Sequence, residues 1–261
     1  MRRSRDAGRT IVVPYVMVDR RRRGELVRTV TALRDGGASA LELGIPFSDP
    51  IADGPVLEAA HDRALAHGTG WNDVVAAVRT ASTVLPTALM TYANPLVRRG
   101  AAGALSELAA AGASGIIVPD LSLEESGPFR RAARRARVDE ILLAAPGIDR
   151  ARLARIARAS RGFLYLVGHY GTTGGSARGS TVGLAPFVAA ARDAAPALPV
   201  LIGFGVRDRA SAQRALASGA DGVVVGTALE ELLRRRAGPR AMSELVRSIV
   251  AAPRSVPRGT R

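Results

Sequence analysis

Residues 41–55, LELGIPFSDPIADGP, contain the strand, loop and helix boundary from which the fold can be worked out. The residues leading to Glu42 form an apolar run that is typical of the end of a buried strand. Pro46, Pro50, Gly54 and Pro55 punctuate the loop that follows, and a helix is predicted from residue 56. A strand followed by a helix is the repeating unit of an α/β protein.

The same stretch carries two carboxylates that suit acid–base chemistry. Glu42 stands at the carboxyl end of the predicted strand, and Asp53 stands on the loop that follows. Two acids in different environments can divide a proton transfer between them, as a lyase requires. The alternative, in which Asp53 is only a helix N-cap, leaves a charged Glu42 between two leucines unexplained.

Strand-like and helix-like segments alternate along the whole chain. Eight apolar runs predict strands at 11–17, 39–43, 86–91, 114–118, 141–145, 163–167, 199–203 and 221–225. Helical periodicity lies at 24–36, 56–67, 71–83, 102–111, 123–137, 149–160, 184–194, 207–218, 227–236 and 239–251. Alternation with continuous apolar strands predicts a parallel sheet with right-handed crossovers. We therefore expect one (β/α)₈ TIM barrel domain with extra helices over residues 1–261, with flexible tails at 1–9 and 253–261.

Glycines late in the chain indicate a phosphate site. A doubly wound open sheet usually has a glycine-rich first crossover, which is missing here. In a (β/α)₈ barrel, the loops after strands seven and eight commonly hold a phosphate, and Gly205, Gly226 and Thr227 fall there. The glycine-rich segment 168–180 is interpreted as a mobile lid.

Composition narrows the functional class. Hydrophobic residues make up 47% of the chain, and no apolar run reaches the ~20 residues of a membrane span. Arginines follow the first apolar run where a signal peptide would need small residues, and cysteine is absent, so a cytoplasmic location is expected. The net charge of +14 raises the question of nucleic acid, but no nucleic-acid-binding motif occurs. Attraction of small phosphorylated anions explains the charge better.

Several motifs, in order along nearly the whole chain, resemble the tryptophan synthase alpha subunit family. They are LELGIPFSDPIADGP (41–55), LMTYANP (89–95), GIIVPDLSLEES (115–126), GFGV (203–206) and DGVVVGTAL (221–229). The resemblance implies a (β/α)₈ barrel that cleaves indole-3-glycerol phosphate to indole and glyceraldehyde 3-phosphate without metal or cofactor. It also implies a beta subunit partner that carries pyridoxal phosphate in an α₂β₂ complex.

The resemblance also implies roles for individual residues. Glu42 and Asp53 match the catalytic glutamate and aspartate, the first protonating indole C3 and the second holding the indole N–H proton. Among the implied substrate-binding residues, Tyr15 lines the indole pocket, Tyr165 lies near Glu42, and Thr173 orients Asp53. The implied phosphate-binding residues are Gly174, Gly205, Gly226 and Thr227.

Some segments depart from the family pattern. MVDRRRRG replaces a Thr-Ala-Gly-Asp-Pro-like segment after the first strand, and the lid reads GHYGTTGG. Three alternatives therefore stay open: a free-standing lyase that releases indole, a weakly active or inactive subunit that activates a beta partner, and a related barrel acting on another sugar phosphate.

The remaining polar residues are assigned no catalytic role. His61 and His67 have the wrong spacing for a metal pair on one helix face and are interpreted as surface or satisfied core histidines. His169 is interpreted as an exposed loop residue, and Trp71 is expected to pack between helices. Asp120 is either a helix cap or an acid that supports the site.

Overall fold

Nine parallel strands form the sheet at the centre of the computed structural model, which describes residues 1, 5–167, 183–203 and 205–253. Their order is β5-β4-β3-β2-β1-β9-β8-β7-β6. The strands are β1 (Ile11–Met17), β2 (Leu41–Gly44), β3 (Thr87–Met90), β4 (Ala113–Ile117), β5 (Asp139–Ile141), β6 (Leu143–Ala144), β7 (Leu164–Val167), β8 (Val200–Gly203) and β9 (Gly222–Val225).

The first and last strands of this order, β5 and β6, are joined through a single residue, which closes the sheet into a barrel. β5 pairs with β4 and β6 pairs with β7, while only Leu142 separates β5 from β6. The backbone N–H of Leu142 donates to the Ser160 hydroxyl at 3.0 Å instead of to a neighbouring strand. The predicted barrel is confirmed, but the predicted strand 141–145 is wrong in detail, because the chain changes strand partner in its middle.

Alternation along the strands divides the core into two layers. In β1, Val13 and Tyr15 belong to the cluster inside the barrel, whereas Val12 and Val16 pack in the cluster between the sheet and the helices. Successive strand side chains point to opposite faces, so both faces of each strand must be apolar. This explains the continuous apolar runs.

Helices surround the barrel among the described residues. They are α1 (Leu26–Asp35), α2 (Pro55–Ala66), α3 (Trp71–Ser82), α4 (Ala93–Arg98), α5 (Ala101–Ala110), α6 (Gly127–Ala136), α7 (Arg150–Ala159), α8 (Leu184–Ala194), α9 (Arg209–Ala217), α10 (Thr227–Arg234) and α11 (Pro239–Val250). A 3₁₀ helix, Arg20–Glu25, precedes α1. Within the described ranges, no helix combines the length and apolar character needed to span a bilayer.

One predicted helix needs correction, and two short helices were missed. The helix predicted at 123–137 begins only at Gly127, because Pro128 is tolerated in the first helical turn but not in a helix interior. The short helix α4 and the 3₁₀ helix were not predicted, since each spans only six residues and shows little periodicity. Parts of the predicted tails, residues 2–4 and 254–261, lie outside the described residues.

Candidate active site

The pairing of β1 with β2 places Tyr15 beside Glu42 inside the barrel, near the carboxyl ends of the strands. Asp53 reaches the same cavity from the loop after β2. The described residues that were predicted for the site all line this one cavity: Tyr15, Glu42, Asp53, Tyr165, Gly205, Gly226 and Thr227. Thr173 and Gly174, and with them the predicted lid and His169, lie outside the described residues.

Glu42 is a buried carboxyl group that lacks local compensation. Its side chain is almost fully buried, and neither carboxyl oxygen has a hydrogen-bond partner among the described residues. Burial first, and then the negative charge of Asp53, raise the pKa of Glu42 to about 8. Glu42 therefore carries a proton at neutral pH and can act as an acid.

Asp53 has one occupied oxygen and one open oxygen. Its Oδ2 accepts the Tyr92 hydroxyl at 2.8 Å and lies 3.1 Å from Nε2 of His61. Its Oδ1 is buried and has no hydrogen-bond partner in the part of the chain that the structure describes. Two contacts on Oδ2 hold the carboxylate in orientation and leave Oδ1 as the acceptor for a ligand.

The protonation of His61 follows from its second contact. The backbone N–H of Phe47 donates to His61 Nδ1 at 3.0 Å, so that nitrogen must carry a lone pair. The proton of the neutral ring then lies on Nε2, which donates it to Asp53. His61 thus joins the backbone of the loop after β2 to the acid at the end of that loop.

Tyr92, the N-cap residue of α4, makes a matching connection. Its hydroxyl accepts the backbone N–H of Ala52 at 3.0 Å while donating to Asp53. Burial and the nearby Asp53 raise its pKa well above the usual value, so the phenol keeps its proton. This role of Tyr92 was not predicted from the sequence, although Tyr92 lies inside the motif LMTYANP. For His61 the satisfied core interpretation is confirmed, but its contact with Asp53 was missed.

The alternative role of Asp53 as a helix cap is wrong. The N-cap residue of α2 is Gly54, and it makes no side-chain capping hydrogen bond. Pro55 at the first helical position lacks an N–H that would need capping. The Asp53 carboxylate is instead turned toward His61 and Tyr92.

Two tyrosines form the walls of the cavity against glycine backbone. A Cβ atom added to Gly44 would lie 2.0 Å from the Tyr15 hydroxyl oxygen, and one added to Gly203 would lie 2.1 Å from that of Tyr165. Only glycine leaves room for these rings. Burial raises the pKa of both tyrosines well above the usual value, so each presents a neutral phenol beside the acids.

Gly205, Gly226 and Thr227 supply a further part of the cavity lining. Helix α10 begins at Thr227 after the N-cap residue Gly226, and its first N–H groups have no partner within the helix. Gly205 has a φ of +82°, a conformation that favours glycine. The N-terminus of a helix attracts anions through its free N–H groups and its dipole.

Comparisons with known proteins agree with this geometry. The family model described as "Tryptophan synthase alpha chain" matches residues 1–252. The chain belongs to this family. It is 37% identical over 247 residues to the tryptophan synthase alpha chain of Synechococcus elongatus, covering 94% of this chain and 92% of that one. It is 38% identical to the tryptophan synthase alpha chain of Methanopyrus kandleri, and the match covers 93% of this chain and 87% of that one.

Solved structures of tryptophan synthase share the fold. A Mycobacterium tuberculosis tryptophan synthase structure superposes with a TM-score of 0.85 at 35% identity, covering 97% of this chain and 96% of that one. The tryptophan synthase subunit alpha of Legionella pneumophila has a TM-score of 0.83 at 31% identity, with 96% and 95% covered. The chain that carries the motifs quoted above therefore has the fold of a tryptophan synthase alpha chain.

The remaining singled-out residues have structural contacts in this alpha chain family member. Asp120 accepts the backbone N–H of Ala93 at 2.9 Å, which supports the first turn of α4 as a cap would. The Trp71 indole N–H donates to Glu107 at 2.7 Å, between α3 and α5. His67 contacts Asp19 at 2.9 Å. Among the described residues, no cluster of three or more potential metal ligands occurs.

Proposed function

We propose that this alpha chain cleaves indole-3-glycerol phosphate to indole and glyceraldehyde 3-phosphate by a retro-aldol reaction. The observation that carries the proposal is the pairing of a protonated, buried Glu42 with the open Oδ1 of Asp53 in one cavity. The names of the related proteins support the same activity.

In the proposed reaction, Glu42 works first as an acid and then as a base. Its proton moves to indole C3, which leaves positive charge on the ring nitrogen. Asp53 accepts a hydrogen bond from that N–H through Oδ1 and stabilises the charge. The Glu42 carboxylate then removes the proton of the hydroxyl group next to the ring. The carbonyl forms, the C–C bond breaks, its electron pair returns to the ring, and Glu42 is protonated again.

Substrate orientation follows from the two ends of the cavity. Apolar side chains beside the acids, including Leu57, Met90 and Val224, offer a surface for the indole ring. The first N–H groups of α10 and the backbone at Gly205 face the end assigned to the phosphate. Thr173 and Gly174 stay predicted additions to that end. Tyr15 and Tyr165 hold the ring between them in this proposal.

The proposal extends to a beta subunit partner. The chain needs no cofactor in this scheme, and pyridoxal phosphate belongs to the partner. Ile51 on the loop after β2 is 74% exposed, and Val97 on α4 is 66% exposed. A cavity of about 440 Å³ next to Ile51 has a largely apolar wall that includes Val118, Leu121 and Ile148. Exposed apolar groups next to a catalytic loop suit a protein interface. We place the activity in the cytoplasm, which the lack of cysteine fits.

Glu42→Gln tests the proposed chemistry. Turnover of indole-3-glycerol phosphate should fall by about 10² to 10⁴-fold, because glutamine cannot exchange a proton. Affinity for an indole-propyl phosphate analogue should stay within about twofold, since glutamine keeps the shape of the side chain. Indole formation is measured with the chain alone and with added beta subunit. Full turnover by the variant would disprove the assigned role, and equal loss of turnover and analogue binding would indicate misfolding.

A further inference from the structure

A second cavity, separate from the catalytic one, is lined largely by arginine. It has a volume of about 650 Å³ and lies between the 3₁₀ helix, α1, α2, α10 and the start of α11. It shares no lining residue with the catalytic cavity. Six of its fifteen lining residues are arginine, whereas Lys and Arg together supply 37 of the 261 residues of the chain. We name it the arginine cavity after Arg21, Arg22, Arg28, Arg63, Arg234 and Arg236.

The acids near this cavity compensate only part of its positive charge. Asp19 contacts His67 at 2.9 Å and accepts the backbone N–H of Arg21 at 2.9 Å. The buried Glu230 lies 3.6 Å from the guanidinium of Arg63 and 4.0 Å from that of Arg22. These two acids therefore already have partners.

Four guanidinium groups remain without an ion pair among the described residues. They belong to Arg21, Arg28, Arg234 and Arg236. Glu25 is the other acid on the wall, and it likewise makes no ion pair in the described part of the chain. The space therefore carries an excess of positive charge. Like charges gathered around one concave space repel each other and attract anions into it.

We propose that the arginine cavity binds a small anion that carries two or more phosphate groups. Arginine presents N–H donors in a planar fork that matches phosphate oxygens, and several arginines can contact one polyphosphate. The volume of the cavity lies within the range of ~300–1,000 Å³ that is typical of pockets for small molecules. The site gives a role to Arg21 and Arg22 of the basic segment MVDRRRRG. It does not rest on the proposed catalytic function.

Pyrophosphate is the probe for this site. Binding to the full chain is measured by calorimetry for the parent, for Arg28→Gln/Arg234→Gln, and for a control pair, Arg131→Gln/Arg135→Gln. The first pair removes one charge from each of two helices, α1 and α10, that both line the cavity. The control residues are exposed on α6 and also make no ion pair among the described residues. Both pairs lower the net charge equally.

The cavity pair should weaken pyrophosphate binding at least about tenfold, as expected when two charged contacts are lost. The control pair should change it less than about twofold, and the parent should bind pyrophosphate more tightly than inorganic phosphate. Equal weakening by both pairs would show only the general field of a basic protein and would overturn the proposal. Absence of binding to the parent would overturn it as well.

Two enzymatic readouts keep this site distinct from the catalytic one. Indole formation at saturating indole-3-glycerol phosphate should be the same in the cavity pair and the parent. Pyrophosphate that enters the catalytic cavity would appear as inhibition of indole formation, and that inhibition should persist in the cavity pair. Abolition of the inhibition together with the measured binding would assign the pyrophosphate to one shared site and overturn the proposal.

Discussion

Nε2 of His61 lies 3.1 Å from Oδ2 of Asp53, while the other ring nitrogen accepts the backbone N–H of Phe47. One neutral imidazole thus joins both ends of the loop that carries the candidate acid. The Tyr92 hydroxyl repeats the arrangement with Ala52 and Asp53. The open oxygen of Asp53 owes its position to these two side chains, since it has no hydrogen-bond partner of its own among the described residues.

His61→Leu should lower kcat by about 10²-fold, because a misplaced catalytic group can cost that much. It removes both ring nitrogens and leaves the Phe47 N–H without its acceptor. His61→Gln, which keeps a polar donor, should recover part of the loss. Affinity for an indole-propyl phosphate analogue should change little in either variant. Full kcat in His61→Leu would refute a positioning role, and so would a parallel loss of analogue affinity.

The rate of cleavage should decline at alkaline pH. Because the pKa of Glu42 is raised to about 8, the proton needed at indole C3 is lost above that pH. The pH profile of kcat tests this between pH 6 and 10. Glu140→Gln is the control, since burial also raises the pKa of Glu140 to about 7, but Glu140 does not line the catalytic cavity. A profile without an alkaline decline, or loss of that decline in the Glu140→Gln variant, would contradict the assignment.

Stability should also depend on pH through Glu42. The folded-state pKa of about 8 lies above the ordinary value of 4.5, so the native state keeps a proton that the unfolded chain has lost between these two pH values. The contribution of Glu42 to stability is therefore fully present below pH 4.5, decreases as the pH rises, and is lost above about pH 8.

Urea denaturation of the parent and of Glu42→Gln at several pH values isolates this contribution. The free energy of unfolding of the variant should rise relative to the parent as the pH increases from 5 to 8. The glutamine side chain of the variant does not ionise, whereas Glu42 must be buried with a charge at the upper end. A difference that is independent of pH would show that Glu42 titrates normally in the folded chain.

Gly226→Ala should weaken phosphate binding without disturbing the fold. An added Cβ atom meets nothing nearer than 3.5 Å, at Cβ of Tyr15, and the φ of −109° suits alanine. The methyl group would nonetheless obstruct the backbone N–H groups where the phosphate is proposed to bind. We expect KM to rise about tenfold, equivalent to one lost hydrogen bond to a charged group, with a smaller change in kcat.

Gly203→Ala provides the contrast. Its Cβ atom would lie 2.1 Å from the Tyr165 hydroxyl oxygen, so the ring must move. Overpacking of this kind typically destabilises a protein by ~1–3 kcal/mol. Thermal unfolding of the two variants should separate them clearly. If both unfold at the same temperature as the parent, the close contact between Tyr165 and Gly203 is not a constraint.

Local patterns in the chain were sufficient for the barrel. Apolar runs bounded by glycine and proline marked all eight barrel positions, since strands buried on both faces must be continuously apolar. Local patterns failed where a tertiary contact overrides them. The strand at 141–145 divides at Leu142 because its two halves pair with different neighbours. Helix α4 spans only six residues, too few to display a period.

By itself, the amino-acid sequence determined the strand and helix alternation, the position of both acids on either side of one turn, and the glycine at the start of α10. These features depend on neighbours along the chain. Only the tertiary structure decided that His61 and Tyr92 hold Asp53, that Glu42 is buried without a partner among the described residues and keeps its proton, and that arginines from separate helices meet around one cavity. The reason is physical: strand register and helix packing set desolvation and side-chain contacts between residues that are distant in sequence.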